Sequence, residues 1–217
     1  MRRIGIISAL DIEIDYIIKN VVLLDKIKQQ YTHYCCLYKD MQLVIAVCGI
    51  GAVKAGACAE EMVNMFKVST IINMGVAGSL DDSLCPLDII IANKIINVCT
   101  IEDGKLVING TVDLNLDRLM TIVDRRAIEQ FNITYGAFLT THTFLMEREK
   151  ASGLNKTVRC VEMEGYAIAQ VTNNYNIEFY AIRCITDMAN CTASIDYKTN
   201  ERGAAVKVGR FILDALH

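Results

Sequence analysis

A chain of 217 residues that is 53% hydrophobic and 22% charged has the composition of a globular protein able to bury about 70% of its unfolded surface. Its net charge of −3 supplies no basic footprint for nucleic acid, and charges break the longest apolar runs well short of a membrane span. A single proline, Pro86, and the lack of a Pro/Ser-rich run show no linker, so one domain over residues 1–217 is expected.

The opening "MRRIGIISAL" mimics the start of a signal peptide, but Asp11 and Glu13 interrupt the apolar stretch and no cleavage-like site follows. "RRIGIIS" instead reads as a buried strand, and "ALDIEIDYIIKNV" carries apolar residues at helical spacing after it. "YTHYCCLY" and "QLVIAVC" flank Lys39-Asp40-Met41 as a hairpin. Gly49-Ile50-Gly51 then opens the helix "AVKAGACAEEMVNMF". This stretch could cradle a phosphate before a helix, but it lacks the further glycine of a dinucleotide fingerprint and reads as a tight turn.

"TIINMG" and "LDIIIANKIINV" are further strands, and "LNLDRLMTIVDRRAIEQFN" reads as a helix. "YGAFLTT", "TVRCVEME" and "EFYAIRCIT" close the set of strands, with "GYAIAQVTNNYN" and "AAVKVGRFILDAL" as the last helices. Strands and helices alternate along the whole chain, which predicts an α/β fold with helices covering a central sheet. Nine cysteines, an odd number without CxxC or zinc spacing, sit mostly in apolar runs. They are expected to be buried thiols of a soluble protein in the reducing cytoplasm.

Ligands of open α/β sheets gather at the carboxyl ends of strands, so acids just past a strand are the candidates for chemistry. Three places qualify. Glu13 follows the first strand, Glu162 and Glu164 lie where "TVRCV" runs into a helix, and Asp187 follows "FYAIRCIT". Glu13 could merely offset a helix dipole, and Asp187 could be an ordinary N-cap. The pair in "CVEMEGYAIA" is harder to dismiss. Strand alternation would put Glu162 and Glu164 on one face, where two carboxylates repel unless hydroxyls or cations separate them. Vicinal hydroxyls of a sugar would serve.

"GIISALDIEI", "CGIGAVKAG", "INMGVAGSL", "VEMEGYAIA" and "AIRCITDMAN" occur in the order and rough spacing of the nucleoside phosphorylase/nucleosidase family. From Arg3 to about Asn190, the chain most resembles the branch of 5'-methylthioadenosine/S-adenosylhomocysteine nucleosidases. The resemblance implies a three-layer phosphorylase/hydrolase-like fold with a central mixed twisted sheet flanked by helices. It implies a homodimer that takes a small-molecule purine nucleoside, without metal or organic cofactor and without nucleic acid or membrane as partner.

By the same resemblance, Glu13 positions the attacking water and Asp187 gives a proton to N7 of the purine. Glu164 binds the ribose 2'- and 3'-hydroxyls with Met163 packed on the sugar, and Glu162 is a second acid of that motif. Phe144 stacks on the base, and the backbone of Leu145 reads its edge. Ala77 and Gly78 bring backbone to the anomeric carbon. Arg183 matches a positive group near the water or phosphate site. The chemistry fits these residue types. Breaking an N-glycosidic bond leaves a cationic sugar carbon and an electron-rich base, so carboxylates near the first and a buried, protonated carboxyl near the second both lower the barrier.

Phosphorylases of the family hold phosphate with an arginine-bearing, glycine-rich loop near the N-terminus. Here that loop reads "SALDIEID", which is acidic and would repel an anion; water is the expected nucleophile. Two departures bear on this reading. Val76 stands where nucleosidases of the branch have a small hydroxyl residue. "NVCTIEDGKLVINGTVDLN" replaces the stretch that helps build the pocket for the 5'-substituent, with Asp103-Gly104 as a tight turn. A phosphorylase, a nucleosidase for another purine nucleoside such as a futalosine-like one, and a nucleoside-binding protein without turnover therefore stay open. His142, beside the expected base site, reads as a packed residue rather than a catalyst. His33 and His217 have no companions at ligand spacing.

Overall fold

The computed structural model describes residues 2–102, 105–119, 122–145 and 157–216. Strand β1 (Arg3–Ser8) runs through the middle of the sheet, parallel to β4 (Met41–Val47) on one side and β5 (Thr70–Ser79) on the other. Successive side chains alternate between two cores. Ile4, Ile6, Leu43 and Ile45 join one cluster, whereas Ile7, Val44 and Ala46 join the other. Strands covered on both faces need apolar residues at every position, which is why they appear in the sequence as unbroken runs. Helices α1 (Asp11–Lys19), α3 (Arg125–Phe131) and α5 (Ala193–Ala215) fill the first layer. Helices α2 (Ala52–Phe66) and α4 (Gly165–Asn174) fill the second. The architecture is a mixed sheet between two helical layers, as expected.

Beyond β4 the sheet ends in an antiparallel meander of β3 (Thr32–Tyr38) and β2 (Val22–Lys28). On the other side of β5 lie β10 (Glu178–Asp187), β6 (Ile89–Glu102), β8 (Thr134–Thr140) and β9 (Val158–Glu162), with β7 (Lys105–Asp113) branching from β6. Because β9 also pairs with β5, these five strands close into a ring. The closure has a functional consequence. Gly78 is paired with both Asp187 of β10 and Val161 of β9, so the carboxyl ends of three strands meet beside one glycine. Ser8, at the end of β1, reaches the same end of the parallel set.

Two expectations need correction, and a third stretch gains its structure. Among the described residues, the segment 114–132 forms an α-helix only over Arg125–Phe131. The Asp124 side chain accepts from the Arg126 N–H at 2.8 Å and caps that start, while Val123 bridges Leu216 and the Asp124 N–H donates to the Ala215 carbonyl at 2.7 Å. That backbone is already used by the chain's C-terminal end. Helix α1 stops at Lys19, and "VLLDKIK" forms an edge strand with Val22, Leu23 and Leu24 exposed. Finally, much of the stretch after Asn97 forms β6 and β7, paired antiparallel from Lys94 to Asp113. The expected turn at Asp103-Gly104 lies outside the described residues.

Candidate active site

Asp187 ends β10, an almost wholly buried strand, and is 1% exposed. A bulge between Ile185 and Asp187 shifts the register against β5, the device by which a strand re-aims a side chain near its end. The carboxylate accepts from the Ala189 N–H at 2.9 Å and the Thr186 hydroxyl at 2.8 Å. Burial pushes its pKa above the usual carboxylate range; those two hydrogen bonds oppose the rise, and Asp196 adds to it. Gly78 makes the approach possible, since a methyl group there would lie 2.8 Å from Asp187 Oδ1.

Glu13 reaches the same region from the first turn of α1. Its Oε2 accepts from the Ser8 hydroxyl at 2.7 Å and from the Ala9 and Leu10 N–H groups at 3.0 Å each, and its Oε1 from the Val76 N–H at 2.9 Å. Glu13 therefore does cap α1, as its position allowed. It is also pinned against β5, where a methyl group at Gly75 would come within 2.7 Å of Oε1. The two glycines of "NMGVAGS" each admit one carboxylate.

The pair Glu162 and Glu164 is arranged differently from the strand-alternation reading. Strand β9 ends at Glu162, and Glu164 occupies the N-cap position of α4, so the two do not share a strand face. Glu162 turns inward. It accepts from Thr140 Oγ1, from the Glu164 and Gly165 N–H groups at 3.0 and 2.7 Å, and from Arg183 Nη2 at 2.5 Å. It borders the cavity, but its oxygens are taken by the protein. Glu164 accepts from the Gly51 N–H at 2.8 Å and is raised to about 7, chiefly by burial and then by the negative charge of Glu162.

Arg183 also requires correction. It is 1% exposed and does not line the cavity. Its guanidinium is consumed by Glu162, by the Asn73 carbonyl and side-chain oxygens at 3.0 and 2.5 Å, and by the Ile182 carbonyl at 3.1 Å. A buried carboxylate demands such a partner; Arg183 neutralises Glu162, which in turn holds the start of α4 and hence Glu164.

Glu13, Glu164 and Asp187 line one cavity of about 330 Å³, within the range of small-molecule sites. Ala77, Gly78, Phe144, Leu145, Glu162 and Met163 border it as well. Val76 borders the cavity too. His142 is exposed and not among the lining residues, and His33 is buried with Nε2 2.6 Å from Glu61. Cys36, Cys48, Cys58, Cys160 and Cys184 are buried free thiols, whereas Cys85 and Cys191 are exposed. No helix among the described residues is long and apolar enough to cross a membrane.

Sequence reasoning missed the wall supplied by the beginning of α5. Ser194, Tyr197 and Lys198 border the cavity, and the Tyr197 ring meets Phe144 edge-on at 6.2 Å. The segment lacks an apolar stripe. Its available signal was a start motif, Thr192 at the N-cap followed by Asp196 in the first turn.

A family model described as the phosphorylase superfamily matches residues 3–217. The 5'-methylthioadenosine/S-adenosylhomocysteine nucleosidase of Staphylococcus aureus (strain bovine RF122 / ET3-1) is 28% identical, over 94% of each chain. Among solved structures, a mutant of the futalosine hydrolase of Helicobacter pylori has a TM-score of 0.88 at 20% identity, covering 99% of this chain and 98% of its own. The 5'-methylthioadenosine/S-adenosylhomocysteine nucleosidase of Colwellia psychrerythraea 34H, solved with adenine, also has a TM-score of 0.88 at 25% identity, over 98% and 93% of the two chains. The chain belongs to the phosphorylase superfamily.

Proposed function

We propose that this protein is a nucleosidase that hydrolyses the N-glycosidic bond of a 5'-substituted adenosine to free base and a ribose derivative. The observation that carries the reading is the convergence of Glu13, Glu164 and Asp187 on one cavity. Asp187, held toward its protonated form by burial, donates to N7 as the bond to the base breaks. Glu164 accepts from the ribose 2'- and 3'-hydroxyls and, with Glu13, stabilises the cationic sugar carbon. Glu13 orients the attacking water and takes its proton. Phe144 and Leu145 hold the base, Met163 packs on the sugar, and Ala77 and Gly78 carry backbone past the anomeric carbon. Glu162 and Arg183 act behind this surface as positioning residues.

Water rather than phosphate is the nucleophile in this reading, because, among the described residues, the Glu13 and Glu164 carboxyls border the cavity without a cation of their own on its wall beside them and negative charge there opposes an anion. The nucleosidase relatives support the same choice. The reading is completed by a single-domain chain acting as a cytoplasmic homodimer in methionine salvage, on the strength of the family resemblance. The test is incubation with 5'-methylthioadenosine, S-adenosylhomocysteine, adenosine and inosine, with and without phosphate. Free base released in phosphate-free buffer from the 5'-thio substrates is expected. A ribose-1-phosphate product formed only with phosphate, or tight binding without base release, refutes it.

A further inference from the structure

Four carboxylates border the cavity, against a single ammonium among the described residues, that of Lys198. Tyr197 and Lys198 lie on α5 three and four residues after Ser194, and positions so spaced are neighbours of Ser194 on the helix surface. That face looks toward the reacting groups. The Tyr197 phenol has its pKa raised by burial, by the Glu201 carboxylate that accepts a hydrogen bond from its hydroxyl at 2.5 Å, and by the charges of Glu13 and Asp187. Lys198 itself is exposed and has no ion pair or hydrogen bond among the described residues. An ammonium on the wall of a ligand cavity, without a partner of its own, is available to the ligand.

The ligand group that would meet it follows from the proposed function, on which this step rests. Asp187, Phe144 and Leu145 take the base, and Glu164 takes the diol. Leu10, Ile50 and the α5 residues are part of the lining that remains for the 5'-substituent. Leu10 and Ile50 suit an apolar thioether, while Lys198 marks the outer end. We infer that Lys198 is a specificity-determining residue that favours nucleosides whose 5'-substituent ends in a carboxylate. A neutral 5'-group would still fill the apolar part and forgo the ion pair.

The experiment compares 5'-S-(2-carboxyethyl)-5'-thioadenosine with its neutral primary amide, by initial rates of base release in phosphate-free buffer at low ionic strength. The wild-type protein is expected to prefer the acid in kcat/KM by about fivefold, the size an exposed ion pair supports, with the preference shrinking as salt is added. Lys198→Met removes the preference, Lys198→Arg keeps it and Lys198→Glu reverses it. Equal rates for acid and amide in the wild type, or an unchanged preference in Lys198→Met, overturn the inference and leave the nucleosidase reading standing. Cleavage of neither compound overturns both. A phosphate-stimulated rate lost in Lys198→Met assigns the ammonium to phosphate and overturns the inference as well.

Discussion

Replacing Glu164 by glutamine should make the free protein more stable while crippling it as an enzyme. Burial and the neighbouring Glu162 charge raise the Glu164 carboxyl from its ordinary 4.5 to about 7, which disfavours its ionised form by about 3 kcal/mol at most. In the window between pH 4.5 and 7, the native chain keeps a proton there that the unfolded chain has released. Stability therefore falls as pH rises through that window, and the full penalty is in force above pH 7. Glutamine has no charge to bury, and its carbonyl oxygen can still accept the Gly51 N–H, now 2.8 Å from Glu164 Oε1. Urea denaturation of ligand-free wild type and Glu164→Gln should show the variant ahead by about 2–3 kcal/mol at pH 8. The two should converge near pH 4.5. A variant that is less stable at pH 8, or a difference that does not change with pH, would show that Glu164 is not a strained carboxylate.

Asp187→Asn should lower kcat by about 10²–10⁴. In the wild type, kcat should fall as pH rises through the raised pKa of Asp187, because only the protonated form donates; the pH–rate profile of the variant should lack that limb. Gly78→Ala places a methyl group 2.8 Å from Asp187 Oδ1 and 3.3 Å from Ala189 Cβ, so kcat should drop at least about tenfold by displacing the acid. Gly203→Ala, whose added carbon would be 3.5 Å from Leu87, should instead stabilise α5 by about 0.5–1 kcal/mol in thermal melts. Arg183→Met should destabilise the protein by about 3–5 kcal/mol, because Glu162 is left buried without its cation. Adding Glu162→Gln should recover part of that loss in a double-mutant cycle, since a neutral amide needs no counter-charge; strictly additive losses would argue against the pair.

The buried centre of the fold was legible in the sequence because β1, β5 and β10 are covered on both faces, and each appears as a run that is apolar at most positions, interrupted inside by Asn73 in β5 and Arg183 in β10. The elements misread are those whose structure depends on distant partners. Strand β2 is exposed along the sheet edge and paired only with β3, so its apolar residues carry no periodic signal. Residues 114–124 have helical spacing, but part of their backbone is bound to the C-terminal end.

At the site, the gathering of ligands at the carboxyl ends of strands pointed to Glu13, Glu164 and Asp187, although a helix-dipole role for Glu13 and an N-cap role for Asp187 were readable from the same positions. The same reasoning put Glu162 and Glu164 on one face, because two residues of spacing looks alike in a strand and across a strand-to-helix junction. Arg183 carried a readable signal of its own. A lone cation in "FYAIRCIT" needs a buried anion, and Glu162 supplies it. Tyr197 and Lys198 were invisible, because a polar helix face declares itself only when a cavity opens beside it.

The account stands on three carboxylates sharing one nucleoside. A crystal structure of the Asp187→Asn variant soaked with 5'-methylthioadenosine tests that most directly. It should show the purine N7 facing residue 187, the ribose hydroxyls on Glu164, and a water between Glu13 and the anomeric carbon. A nucleoside bound elsewhere, or one in this cavity with its ribose turned away from Glu164, would contradict it.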